Sequence, residues 1–176
     1  MIVIITKLDA VKRQLETAIT LWFQDADPVS IHTLVAAARE ILVALNKGGE
    51  PMGVDKMTTD LSEKEELKKT ITKAQNFFKH GKKDPKTILH FNPENNRFYI
   101  IESVHKYREI AKENPTIMAA FILYQMISHP EDVSSPTEPN NLLINTPHIK
   151  NRLALIKEKT KFLPELAKIT RETGVV

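Results

Sequence analysis

Apolar residues return at three- and four-residue steps through five successive stretches of this chain, and no other feature constrains its fold as strongly. That spacing turns one face of a helix toward a common interior. In the first stretch Leu8, Val11, Leu15, Ala18, Ile19 and Trp22 align, with Thr6 as a cap and Asp9 three positions on as its partner. Asp25-Ala26-Asp27-Pro28 interrupts it. The second stretch opens there, since Asp27 is a good N-cap and Pro28 suits the first helical position; Ile31, Leu34, Val35, Ala38, Leu42 and Leu45 form its stripe up to Gly48-Gly49. A third begins at a capping box, Asp60 to Glu63 or Ser62 to Glu65, carries Leu67, Ile71, Ala74 and Phe78, and stops at Gly81.

The segment 87–101 admits two readings. Thr87 to Phe91 and Arg97 to Ile101 could pair as a hairpin, but Asn92-Pro93-Glu94 also starts a helix. Ile100, Ile101, Val104, Tyr107, Ile110 and Ala111 keep helical spacing as far as Asn114-Pro115, which favours the helix. The fifth stretch, Pro115 to Ser128, is apolar nearly all round and is expected at the centre. With only 5 Gly in 176 residues, all-β folds and Gly-rich phosphate loops lack the turns they need. The expected fold is all-α: an antiparallel bundle of about five main helices over residues 1–130 and a Pro/Asn-rich connection over 131–148. A basic helical tail over 149–176, Ile149 to Lys161 and then Pro164 to Glu172, is expected to pack on the same domain.

Several chemistries are excluded by missing residues. Without cysteine there is no thiolate nucleophile, disulfide or Cys-ligated metal, which suits a reducing cytoplasm. The chain also lacks Walker A, GxGxxG, HExxH, GxSxG and EF-hand patterns. No apolar run approaches the roughly 20 residues of a membrane span, and Met1 to Ile5 is too short for a signal peptide, so the expected protein is soluble and cytoplasmic, with no membrane partner.

Thr6-Lys-Leu-Asp-Ala10, Asp27-Pro-Val-Ser-Ile-His-Thr-Leu34, Asn76-Phe-Phe-Lys-His80, Asp84-Pro85, Phe91-Asn-Pro93 and His129-Pro130 follow one another in an order that resembles a group of short bacterial proteins of unknown function. The resemblance spans about residues 6–130 and implies an all-helical cytoplasmic bacterial protein. It implies no activity.

The candidate site follows from topology. If the helices alternate in direction, His32, Asn76, Lys79, His80, Asp84 and His129 come to one end of the bundle, with Asp25, Asp27, Ser30 and Glu131 beside them. Imidazoles and carboxylates together suit a small ligand or a divalent metal. The sequence assigns no cofactor and no catalytic residue. Each residue also has a plainer role: Asp27 caps, His80 sits where the helix dipole favours a cation, Asn76 and His80 lie opposite the apolar stripe, and His32 flanks its own. Two other readings stand beside this one. Near-heptad spacing in the first helix, together with Ile2 to Ile5, suits a non-catalytic assembly module or homodimer. Lys79, Lys82, Lys83 and Lys86, with Lys150, Arg152, Lys157, Lys159, Lys161, Lys168 and Arg171, suit phosphate contacts with nucleic acid, although Glu158, Glu165 and Glu172 interleave.

Overall fold

The computed structural model describes residues 2–46, 69, 72–80, 86–129, 147–156 and 158–173. Among these, all regular structure is helical, as the periodicity requires: α1 (Lys7–Phe23), α2 (Pro28–Leu45), α3 (residues 72–79), α4 (Asn95–Ala111), α5 (Thr116–Ser128), α6 (Pro147–Ala154), a 3-10 turn (Lys159–Lys161) and α7 (Phe162–Thr173). The protein is an all-α helical bundle. Local chemistry sets the first two helix starts. The Thr6 N–H and hydroxyl both donate to Asp9 Oδ2, at 3.0 and 2.6 Å, and the Asp9 N–H donates back to Thr6 Oγ1, so two otherwise unmatched donors are satisfied reciprocally. At α2 the Asp27 carboxylate accepts from the Ser30 N–H at 2.7 Å and Pro28 takes the first turn. The 87–101 segment resolves to a helix: Asn92 Oδ1 accepts from the Glu94 N–H, a turn follows, and α4 runs from Asn95. Asp60 and Ser62 lie outside the described residues.

The chain forms two compact units, one of residues 1–18 and 27–113, the other of 19–26 and 114–176. This grouping differs from the one composition suggests, because α5 belongs with the C-terminal helices. In unit one α2 packs on α4. His32 meets Asn96 and Arg39 meets Glu102, so the two run in the same direction. Gln75 and Lys79 of α3 both bond Glu40 of α2, and Phe78 reaches His32. Lys12, early in α1, reaches Glu113 just beyond α4. Tyr107 also donates to Glu113; burial and then that carboxylate push its phenol well above the ordinary range, and the same bond, with help from Lys12, holds Glu113 low.

α2 has a mean hydropathy of 1.4 and is long and apolar enough, by length and composition, to cross a membrane. Its inward residues, however, include two polar groups that bond side chains of α4. His32 is one. Arg39 is the other, forking onto Glu102 with its Nε and Nη2 each 3.2 Å from a carboxylate oxygen, while the Glu102 side chain is only 4% exposed. Such a bidentate pair fits a protein interior.

In unit two α5 is buried on every side, from Met118 through Ala120 to Gln125, in line with its all-round apolar character. Trp22 and Phe23 meet Phe121 and Tyr124 edge to face, and Phe162 stacks flat on Phe23 at 5.7 Å. One expected element is shorter than its sequence suggested. The basic helix ends at Ala154 rather than Lys161, its last turn tightening as the Leu155 and Ile156 N–H groups reach back only three residues to Arg152 and Leu153. Beyond that point Glu158, Lys159, Thr160 and Lys161 offer no apolar side chain, and Lys159 instead lies over the Trp22 ring at 4.3 Å and pairs with Asp25 at 2.5 Å.

Two stability outcomes follow. Phe162→Ala should destabilise unit two by about 3–5 kcal/mol, read by urea unfolding with Trp22, the chain's one tryptophan, as the fluorescent probe. Arg39→Met and Glu102→Leu should each cost about 3–5 kcal/mol alone, and the double variant less than either, since a lone buried charge is the expensive state; additive losses in a double-mutant cycle would contradict the pairing.

Candidate functional site

The start of α2 fixes the central residue of the site. With Asp27 capping and Pro28 in the first turn, the helix is regular from its beginning, and His32 faces inward, 1% exposed. Its Nδ1 lies 3.0 Å from Asn96 Oδ1 on α4, and the Asn96 amide nitrogen donates to the Pro28 carbonyl at 2.9 Å. The second bond settles the first. An amide whose nitrogen points at a carbonyl presents its oxygen on the other side, so Asn96 Oδ1 accepts, and the proton of the neutral His32 ring resides on Nδ1.

The other ring nitrogen, Nε2, has no hydrogen-bond partner and less than 1 Å² of accessible surface, too little to admit a water. Three aromatic rings enclose the imidazole edge to face: Phe78 at 5.5 Å, Phe91 at 5.2 Å and Tyr99 at 5.5 Å. Burial therefore draws His32 below its ordinary pKa, with the Asn96 bond working weakly the other way. Burial likewise pushes the Tyr99 phenol up to about 12. The aromatic contacts continue outward. Phe91 meets Phe78 at 5.4 Å, Phe78 meets Phe77 at 5.8 Å, and Phe77 is 40% exposed. Ile88, three residues before Phe91 and so within about 10 Å of chain, is 80% exposed.

The residues singled out from sequence divide. His32 is the buried centre, while Asn76 and His80 are exposed on or just beyond the last turn of α3. The Lys79 ammonium lies 2.7 Å from Glu40, and that bond holds the Glu40 carboxyl below its usual range. His129 belongs to unit two, half-buried, its N–H closing α5 on the Gln125 carbonyl at 2.8 Å. Asp84 and Glu131 lie outside the described residues. Among the described residues no three His, Asp or Glu side chains gather as a metal site would require. The partners that matter to His32 are Asn96, Tyr99, Phe78 and Phe91; of these only Phe78 was marked as a core position from sequence. A signal for two more was present, because Asn96 and Tyr99 share the three- and four-residue step of the α4 stripe with Ile100.

Three of the tail cations, Arg152, Lys159 and Lys161, are paired with carboxylates of unit two. Arg152 donates to Glu165 and to Glu172, both contacts raising its pKa, and Lys161 pairs with Glu158. Arg152, Glu158, Lys161 and Glu165 line a shallow groove of about 640 Å³ with Leu155 and Pro164, so that it carries both signs of charge. Val11, Leu15 and Ala18 of the near-heptad stripe in α1 are fully buried, and Ile2 and Ile4 are more than nine-tenths exposed. Comparisons with protein-family models, with curated proteins and with solved structures find no match for this chain.

Proposed function

We propose that the chain is a non-catalytic interaction module that docks a protein partner through the aromatic end of unit one. The observation behind this reading is the unbroken run of ring contacts from buried His32 through Phe91 and Phe78 to exposed Phe77. A rigid aromatic side chain that is anchored in a core and open to solvent on one flank loses little conformational entropy when covered, which is why such residues dominate binding surfaces. Ile88 adds an uncovered aliphatic side chain nearby. The polar groups of the same region are already engaged with each other, His32 with Asn96 and Lys79 with Glu40, so little remains to drive acid–base or metal chemistry. For nucleic acid, where phosphate contacts dominate affinity, the cations Arg152, Lys159 and Lys161 are held by carboxylates of their own unit.

Selection from a phage-displayed peptide library with the full chain as bait should enrich sequences that share an apolar anchor. Phe77→Ser and Ile88→Ser should each weaken the enriched peptides by about tenfold, or roughly 1.4 kcal/mol, with melting temperatures close to wild type because both side chains are substantially exposed. No enrichment, or binding indifferent to both substitutions, would remove this docking surface. Tight binding of single-stranded RNA that falls steeply with salt would replace it with the nucleic-acid reading.

A further inference from the structure

Resting on that docking reading, we propose that His32 is an acid-sensitive latch: the aromatic end of unit one stays closed only while the imidazole is neutral. The geometry leaves a second ring proton nowhere to go. Nδ1–H is already committed to Asn96 Oδ1, whose orientation the Pro28 carbonyl fixes, and Nε2 is sealed from water with no acceptor in reach among the described residues. Protonation would thus place both a charge and an unmatched donor inside the ring cluster, and a buried polar group without a partner is costly.

Among the described residues no charged side chain stands ready to compensate. From α4 the ring is faced by Asn96 and by Tyr99, whose phenol is neutral. From α3 it is faced by Phe78, whose neighbour Lys79 is held by Glu40, and from the segment before α4 by Phe91, whose neighbour His90 is exposed. On α2 itself Arg39 is held by Glu102, and Asp27 is turned to the Ser30 N–H. Burial, the dominant influence on His32, acts in the same direction as this geometry.

The sign follows from linkage. A histidine whose native pKa lies below its unfolded value of about 6.5 stabilises the folded state fully above that pH, and its contribution is lost as pH falls from there toward the lowered native value. The weakest attachment should yield first. Phe78 and Phe91 are only half-buried, whereas the α2–α4 seam is also held by the Arg39–Glu102 fork and by Ile31, Val35 and Ile100, all essentially buried. Acid should therefore release Phe78 and Phe91 from His32 while that seam persists, a local opening rather than global unfolding. Docking would then be tied to the protonation of one residue that contacts no partner.

The test uses the full chain and needs no partner. Hydrogen exchange, corrected for intrinsic pH dependence, should show the amides of residues 73–79 losing protection by up to about tenfold per pH unit below about pH 6.5, with the amides of α2 around Val35 unchanged. Nitrogen-15 spectra should show His32 protonated on Nδ1 and bare on Nε2 at neutral pH. In His32→Leu, which fills the box without titrating, the acid response should vanish. An unchanged response in His32→Leu overturns the latch, as does a wild-type His32 that gains its second proton at or above its ordinary pKa with protection intact. If His32→Leu does not fold, the wild-type ring titration and exchange profile decide the matter by themselves. Acid-independent protection with intact peptide docking removes the latch alone, and an acid response without any peptide docking removes the docking reading alone.

Discussion

The relay from the Pro28 carbonyl through the Asn96 amide to His32 Nδ1 is the constraint on which the architecture of unit one turns. It uses three residues from two helices whose positions are 68 apart at the extremes, and it holds only when α2 and α4 lie side by side, in the same direction and in one register. Apolar packing alone would tolerate a slide of one helix along the other, since leucines and valines at helical spacing offer several near-equivalent fits. The relay does not tolerate it, because a displaced Asn96 leaves a buried N–H and a buried oxygen unmatched together. Arg39 and Glu102 repeat the same specification about two turns further along. Two polar contacts spaced along one seam fix its register more sharply than either could.

What was legible in the sequence was local. Thr6 with Asp9 and Asp27 with Pro28 act within one turn of themselves, so their roles follow from identity and spacing. The all-round apolar character of α5 was equally plain and leads to burial on every side. His32 could be read as turning inward because it flanks a stripe, yet its partner Asn96 lies 64 residues away and nothing local names it. The buried polar residues of α4 were the larger omission. Glu102, Ser103 and Lys106 flank an ordinary apolar stripe and would face water on a surface helix; they are buried because α4 is covered on more than one face. The Arg39–Glu102 pair did leave a trace. Arg39 follows an unbroken apolar run, Leu34 to Ala38, and has no acid three or four residues away on its helix, so its charge calls for a partner from another element. Asn76, Lys79 and His80 were grouped with His32 by the end of the bundle they should share, but an end is a coarse address: those three are exposed, whereas His32 is buried in the ring cluster.

Unit two solves a different problem with the same materials. Its core is aromatic, and the cations around it serve that core. Lys159 lies over Trp22 and is held there by Asp25, whose positive φ of 52° is tolerated because a short polar side chain relieves the left-handed backbone. Arg152 ties α6 to α7 through two carboxylates. A positive formal charge in the sequence thus translates into cross-links between helices, and a pI near 9.0 is no guide to what the surface attracts.

The identity of residue 32 can be argued by elimination. Leucine or phenylalanine would fill the ring box but leave the Asn96 oxygen buried with no donor, a loss that apolar packing does not offset. Glutamine would restore a donor, but it would add a second donor and an acceptor to a space bounded by Phe78, Phe91 and Tyr99, none of which can match both. Tyrosine carries one donor at the wrong distance from the ring. Neutral imidazole alone is flat enough to stand edge to face with three rings, donates once toward Asn96, and leaves just one small unmatched nitrogen. That nitrogen is the remaining cost of the arrangement, and it is the same atom through which a proton would undo it.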